Sequence, residues 1–218
     1  MTTQETEQWD SGPYAAAIRA QRGDLSLRDG EGWCLPLDLE RWCARADAGD
    51  RAVLRRCRGR VLDIGCGAGR FVEALARRGQ NVLGIDVCPS AVRTTVGRGG
   101  SALLRSVFEP LPYEGRWGTA LLIDGNIGIG GDPRRLLRRI RDLVHAQGLL
   151  LVETAPEDVD ELKQVRIHAG HRPVSAVVPW ASVGAEALDR HARASGWTAA
   201  ERWTAPRTRH FVALRARA

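Results

Sequence analysis

The sequence predicts an α/β fold: a doubly wound, mostly parallel sheet of seven strands, with helices on its faces and a helical cap at the N terminus. From residue 60 onward, short aliphatic runs alternate with amphipathic helical patterns, which is typical of βαβ units. The first run leads through a glycine-rich turn into a helix. The last two runs, 197–203 and 208–215, are too close in sequence for a parallel crossover, so one strand near the C terminus is expected to be antiparallel.

The pattern from residue 60 onward defines each element in turn. The predicted strands span 60–64, 81–85, 101–105, 117–123, 148–153, 197–203 and 208–215. The predicted helices lie near 69–78, 89–97, 133–145 and 183–195. An insertion at about 155–182 contains two short runs, 164–168 and 174–179, whose spacing is compatible with a hairpin.

Residues 1–58 precede this pattern and show no strand signal. Helical spacing follows Asp38 and Asp50, and both residue types favour the N-cap position. The region also carries four large aromatic residues, Trp9, Tyr14, Trp33 and Trp42. Because a flexible arm would leave such side chains exposed, we predict a helical cap at 1–58 that folds over the strand ends of one domain at 59–218.

The composition is that of a folded, soluble protein, with 44% hydrophobic and 27% charged residues. The net charge of +6 raises the possibility of nucleic-acid binding. However, Lys163 is the only lysine, and the densest arginine run, 134–141, has the spacing of the solvent-facing side of an amphipathic helix. The sequence therefore favours a protein without a nucleic-acid partner.

The cysteines and the hydropathy pattern bear on metal binding and on the cellular compartment of the protein. Five cysteines occur without a C-x-x-C pair or a Cys/His spacing that suits zinc, so no metal site is expected. No N-terminal signal pattern and no apolar run long enough to span a membrane are present. We expect a cytoplasmic protein without a membrane partner.

The most informative segment is Arg60–Arg70, RVLDIGCGAGR, in which a strand runs into a turn with G-x-G-x-G spacing. The dinucleotide fingerprint is G-x-G-x-x-G, and Arg70 stands where its third glycine would be. Asp63 would repel a pyrophosphate but suits a ligand with an ammonium group. Asp86 ends the second strand, where a carboxylate can accept hydrogen bonds from both hydroxyls of a ribose.

These residues make the chain resemble the class I S-adenosylmethionine-dependent methyltransferases from about residue 58 to the end. The resemblance is specific in Val61–Gly69 and in Val82–Asp86. It implies that S-adenosylmethionine is the cofactor, that Asp63 and the turn hold its methionine end, and that Asp86 holds its ribose, with Val87 against the adenine. The turn residues implied in cofactor binding are Gly65, Cys66, Gly67 and Gly69.

The segment after the third strand departs from the family pattern. Methyltransferases of this class often place an acid there, on the adenine amine, whereas this chain has Ser106 or Val107. The backbone of Val107 or Phe108 and the Phe108 ring are alternative adenine contacts, and Glu109 is the fallback. Simple core packing accounts for Phe108 equally well.

The acceptor is expected beyond the carboxyl end of the fourth strand, beside the loop 122–133. Asp124 is predicted to contact the cofactor or the acceptor, and Asn126 is a polar candidate for the acceptor. His168 and His171, in the insertion, are the candidates for a general base, although a histidine in such a position is more often a surface residue. The remaining substrate candidates are Tyr14, Trp33, Arg172 and Trp180.

The resemblance implies transfer of a methyl group to a small-molecule acceptor at oxygen, nitrogen or carbon. A methyltransferase acting on RNA or protein is the alternative, and it would need an added recognition domain or a coherent basic surface. A protein that binds the cofactor without catalysis is a further alternative. The glycine spacing disfavours a nicotinamide-dependent oxidoreductase.

Overall fold

The computed structural model describes residues 12–217, which contain twelve strands and seven α-helices. The strands are β1 (Leu25–Arg28), β2 (Cys34–Leu37), β3 (Val61–Ile64), β4 (Val82–Asp86), β5 (Ala102–Leu104), β6 (Trp117–Leu122), β7 (Val144–Thr154), β8 (Asp160–Ala169), β9 (Arg172–Pro173), β10 (Val178–Val183), β11 (Trp197–Ala205) and β12 (Arg209–Ala216). The helices are α1 (Pro13–Ala20), α2 (Leu39–Cys43), α3 (Ala48–Leu54), α4 (Arg70–Ala76), α5 (Pro89–Gly97), α6 (Pro133–Leu143) and α7 (Ala185–Arg193).

The main sheet has seven strands in the order β11-β12-β7-β6-β3-β4-β5. The pairs from β7 to β5 are parallel, whereas β12 is antiparallel to both β7 and β11. The predicted α/β fold with a seven-stranded mixed sheet is thus confirmed. The strand order reverses between β3 and β6, and ligands of open α/β sheets bind beyond the strand ends at such a point.

Burial explains why the sequence predicts the main sheet well. Every residue of β3 and β6 is buried, as expected for parallel strands that are covered on both faces. Successive residues of β3 face opposite sides: Val61 packs in one core and Leu62 in the other. Helix α6 begins where predicted, because Asp132 accepts a hydrogen bond from the backbone N–H of Arg135 (3.0 Å) and a proline follows Asp132.

The N-terminal region differs from the prediction, since it contains strands β1 and β2 as well as helices. These strands belong to a second, antiparallel sheet in the order β10-β8-β1-β2, with β9 paired to β8. We call these five strands the roof sheet. A four-residue strand has little periodicity of its own, and β1 is fixed by a partner far along the chain, with Leu25 opposite Ala169 and Leu27 opposite Ile167. Local patterns could not reveal that pairing.

The insertion forms a hairpin, but with shifted bounds. The second run, predicted at 174–179, begins as a strand only at Val178, and β8 pairs with both β9 and β10. Alternate residues of β8 are buried: Val165 and Ile167 pack with Leu25 and Leu27 of β1 in one apolar cluster. The same cluster takes up Ile18 of α1, which ties the cap to the rest of the fold. No helix within residues 12–217 is long and apolar enough to cross a membrane.

Candidate active site

A deep cleft lies between the carboxyl ends of β3, β4 and β6 and the roof sheet. Its empty volume is about 1290 Å³ with the open mouth included. We call the strand ends and the glycine turn the floor of the cleft, and the facing residues of the roof sheet its roof.

The glycine turn is constrained by its neighbours. Gly65, Gly67 and Gly69 all have positive φ values, of 70°, 53° and 82°. A Cβ on Gly65 would lie 2.6 Å from Nδ2 of Asn126, and a Cβ on Gly69 would lie 2.5 Å from Oγ1 of Thr95. Only glycine satisfies both the backbone conformation and the close contacts. Gly65, Cys66 and Gly67 line the cleft, whereas Gly69 begins α4 outside it.

Asn126, in the loop after the neighbouring strand β6, holds this turn in place. Its Nδ2 donates hydrogen bonds to the carbonyl oxygens of Ile64 (2.9 Å) and Gly65 (3.0 Å). The residue itself lines the cleft, in the loop after β6. Asn126, predicted as a substrate contact, is thus placed where it also holds the floor in shape.

Asp86 lies at the end of β4 and is buried. Its Oδ2 accepts a hydrogen bond from the backbone N–H of Gly67, and its Oδ1 accepts one from the backbone N–H of Cys88, both at 2.8 Å. Burial raises the pKa of this carboxyl, and the backbone donors oppose that effect. Each oxygen retains acceptor capacity towards the cleft, which fits a ligand with two neighbouring hydroxyls. Val87 and Tyr14 line the cleft beside it.

Asp63 is a buried carboxylate at the end of β3. Burial raises its pKa to about 7, and the charge of Arg70 opposes that rise. The Arg70 guanidinium, however, pairs with Asp50 (2.7 Å) and Asp124 (2.6 Å). Asp63 therefore lines the cleft without a salt bridge of its own among residues 12–217, which fits a ligand that brings a positive charge.

Asp124 does not face the cleft as a free carboxylate. Arg41 and Arg70 each donate to it at 2.6 Å, and Arg209 lies 3.5 Å away. Burial opposes its ionisation, but the charges of Arg70 and Arg41 outweigh burial and lower its pKa. The predicted contact residue is thus an anion held between arginines, one of which comes from the N-terminal region.

The sequence did not reveal this ionic cluster. Arg209 also pairs with Glu153 (2.7 Å) and Asp50 (2.8 Å), so the cluster joins β12, β7 and α3. Arg70 gave the one available signal, because it replaces the third glycine of the dinucleotide pattern. Nothing local to Arg41 or Arg209 distinguishes them from other arginines of the chain.

The segment after β5 contributes Arg105, Ser106 and Val107 to the cleft. Phe108 does not line it; the Arg135 guanidinium stacks on the Phe108 ring, 4.4 Å from the ring centroid. Glu109 accepts a hydrogen bond from the backbone N–H of Ser106 (2.7 Å). The geometry thus supports Ser106 and Val107 as lining residues and gives no support to a ring contact by Phe108.

The roof is formed by apolar side chains. Trp180 of β10 lines it and packs so closely on Gly128 that a Cβ there would lie 2.3 Å from the indole Nε1. Leu35 of β2 and Trp42 of α2 line the same space. The roof is therefore assembled from the N-terminal region and the insertion together.

Several predicted site residues lie away from the cleft. Neither His168 nor His171 lines it, and the Nδ1 atom of His168 is 3.3 Å from the carbonyl oxygen of His171. His168 alternates with the buried Ile167 of β8 and so faces away from the cleft. A general-base role for either histidine gains no support from this geometry. Arg172 is exposed and Trp33 packs over Lys163, and neither lines the cleft; Trp9 is outside the described residues.

Comparisons with known proteins agree with this architecture. A family model described as a methyltransferase domain matches residues 41–202. The ubiquinone biosynthesis O-methyltransferase of Azorhizobium caulinodans is 31% identical over 111 residues, which are 48% of this chain and 44% of that protein. The chain thus spans less than half of the length of the curated relatives it matches.

Two solved structures share the fold. A methyltransferase from Bacteroides fragilis, solved with S-adenosylhomocysteine, has a TM-score of 0.77 at 19% identity and covers 94% of this chain and 92% of its own. The 1,6-didemethyltoxoflavin-N1-methyltransferase of Burkholderia thailandensis has a TM-score of 0.57 at 20% identity, over 77% of this chain and 75% of its own. With the family model matching most of the chain, the protein belongs to the class I S-adenosylmethionine-dependent methyltransferases.

Proposed function

We propose that the protein transfers the methyl group of S-adenosylmethionine to a small molecule that binds beneath the roof sheet. The observation that carries this proposal is the cleft, which runs without a break from Asp63 and Asp86 on the floor to Leu35 and Trp180 on the roof. A roof of this kind encloses an acceptor of the size of a metabolite.

Residues of the floor supply the cofactor contacts. Asp63 binds the ammonium group, and Asp86 accepts the ribose hydroxyls. The Gly65–Gly67 turn lies against the methionine end, and Val87, Ser106 and Val107 surround the adenine. When bound, the cofactor supplies an activated methyl group on a sulfonium. The chain contributes alignment of the acceptor with that methyl group and exclusion of water, which account for much of the acceleration in such a displacement.

Three arginines of helix α6 are engaged by neighbouring groups. Arg139 pairs with Glu114 (2.5 Å) and donates to the carbonyl oxygen of Val107 (2.9 Å), while Arg135 stacks on Phe108. Arg134 donates to His191 (3.2 Å). Guanidinium groups engaged in this way are poorly placed to track phosphates, which favours a small acceptor over RNA.

The test is transfer of label from S-adenosylmethionine into an extract of the source cells, followed by separation by size. We expect label in the low-mass fraction, and we expect its loss when the Asp86→Ala variant replaces the parent protein. Label confined to RNA or protein would contradict the proposal and support the alternative acceptor class.

A further inference from the structure

The acceptor side of the cleft is apolar. The roof residues that line it are Leu27, Leu35, Leu37, Val178, Pro179 and Trp180. Among residues 12–217, every charged residue that lines the cleft belongs to the floor or to the segment after β5: Asp63, Arg70, Asp86, Arg105 and Asp124. A charged acceptor would lose its hydration beneath the roof without gaining a partner there, at a cost of several kcal/mol. The acceptor therefore enters uncharged.

Among the described residues that line the cleft, none is suited to act as a general base for the acceptor. Burial raises the pKa of the Tyr14 phenol and of the Cys66 thiol well above their usual values, so both stay protonated at neutral pH. Asp124 is held by Arg41 and Arg70, whose charges lower its pKa. A carboxylate bound in this way is a poor proton acceptor near neutral pH.

The other groups that could accept a proton either bind the cofactor under the proposed function or do not line the cleft. Asp86 receives two backbone N–H groups and faces the ribose position, and Asp63 is the partner of the cofactor's ammonium group under the proposed function. None of the five histidines, all of which lie within the described residues, lines the cleft. An alcohol or an unactivated phenol must lose a proton to attack, and the described residues that line the cleft include no group placed to take it.

A neutral nitrogen meets both constraints. Its lone pair forms the N–C bond while the electron pair of the C–S bond returns to sulfur, so the positive charge moves from sulfur to nitrogen. A tertiary or heteroaromatic nitrogen keeps that charge, and a primary or secondary amine releases its proton to water after the bond has formed. Aromatic faces stabilise cations, and Trp42 and Trp180 line this part of the cleft.

Building on the proposed function, we propose that the acceptor is an apolar, uncharged molecule that presents a nitrogen lone pair, as an unprotonated amine or a heteroaromatic nitrogen. The roof favours an apolar body. Because no base is found among the described residues that line the cleft, the site favours a nucleophile that attacks without first losing a proton.

The first test uses S-adenosylmethionine labelled with ¹³C in its methyl group, the full-length protein and an extract of the source cells. The chemical shift of the transferred methyl carbon distinguishes attachment to nitrogen, oxygen and carbon. We expect an N-methyl signal in an apolar, low-mass product. An O-methyl or C-methyl product of low mass would overturn this inference and leave the proposed function intact, whereas label only in macromolecules, or no transfer at all, would overturn the proposed function.

The second test is the pH profile of the identified acceptor at saturating cofactor. We expect kcat/KM to rise tenfold per pH unit below the pKa of the acceptor's own conjugate acid and to be level above it. Acceptor analogues with different conjugate-acid pKa values should move this inflection with them. An inflection that stays at one pH for all analogues would reveal a base on the protein and overturn the inference.

Discussion

The floor of the cleft comes largely from one stretch of chain, residues 61–87, whereas the roof joins strands from 25–37 and 160–183. The floor carries buried carboxylates and arginines, and the roof carries aliphatic and indole side chains. The two surfaces thus divide the work under the proposed function. The polar floor recognises a cofactor with fixed charges and hydroxyls, and the apolar roof shapes the space for the acceptor.

Mutations in the floor and in the roof are therefore expected to have different effects. A floor residue such as Asp86 is fixed by the backbone N–H groups of Gly67 and Cys88, so its replacement should affect cofactor binding directly. The roof strands depend on one another, since β1 lies between β2 and β8. A mutation that disrupts one roof strand should therefore disturb the whole acceptor site.

The largest expected effect comes from removing roof strands. Deletion of residues 1–36 takes away β1 and most of β2, and we expect turnover to become undetectable. Binding of S-adenosylhomocysteine should weaken by no more than about tenfold, because Asp63, Gly65 and Asp86 remain. Calorimetry and a turnover assay on the same preparation check this, with circular dichroism to verify the fold.

Because the deletion exposes the apolar face of β8, a milder variant accompanies it. Leu35→Asp places a charge under the roof and leaves the chain length unchanged. A deletion variant, or this point variant, that methylates its acceptor at the parental rate would show that the roof does not form the acceptor site.

The next largest effect is expected on the floor. Asp86→Ala removes two charge-assisted contacts to the ribose, each worth about 1.5–3 kcal/mol, so S-adenosylhomocysteine should bind about a hundredfold more weakly or worse. Asp29→Ala is the matched control, because Asp29 likewise accepts two backbone hydrogen bonds but lies in the β1–β2 loop. Equal dissociation constants for parent and Asp86→Ala would show that the ribose assignment is wrong.

A smaller effect distinguishes two tryptophans near the roof. Trp180 lines the cleft and Trp33 does not, although both were predicted as substrate contacts. Trp180→Ala should raise the KM of the acceptor by about tenfold or more, since burying an aromatic side chain against a ligand is worth roughly 1.5–3 kcal/mol. Trp33→Ala should change it less than threefold. A larger rise in KM for Trp33→Ala than for Trp180→Ala would show that Trp33, and not Trp180, contacts the acceptor.

The difference between floor and roof also explains which parts of the structure could be predicted from the sequence. The strands β3 and β4 and the glycine turn follow from local patterns, because burial on both faces and positive φ angles leave direct marks on residue type. Asp63 and Asp86 were identified on those patterns, and the structure places both in the cleft. Their roles as cofactor ligands remain predictions.

The roof and the ionic cluster depend on contacts between distant parts of the chain. Arg41 meets Asp124, and Leu25 meets Ala169, without any local pattern that announces either contact. The histidines show the opposite error: their residue type suggested a base, but the alternation of β8 turns His168 away from the cleft. Where a site is assembled from separate segments, the register of a strand therefore predicts which side chains face the site better than residue type does.

The smallest expected effect concerns the charge of Asp63 in the ligand-free protein. Its pKa is raised by burial from the ordinary value of 3.8 to about 7. A carboxyl with a raised pKa contributes stability that is complete below about pH 4 and is lost as the pH rises through about 7. Above that pH the folded protein must hold a buried, ionised carboxylate.

Asp63→Asn keeps the shape of the side chain and removes that charge. We therefore expect the variant to melt above the parent at pH 8, by a few degrees, given about 2–4 °C per kcal/mol for a domain of this size, and the difference to shrink as the pH falls towards 4. Asp132→Asn, at an exposed N-cap that asparagine also suits, should show no such trend. Saturating S-adenosylhomocysteine should reverse the order at pH 8, because its ammonium group pairs with the parent carboxylate and not with the amide. A melting difference that is independent of both pH and ligand would mean that Asp63 is not the buried, unpaired charge on the floor of the cleft.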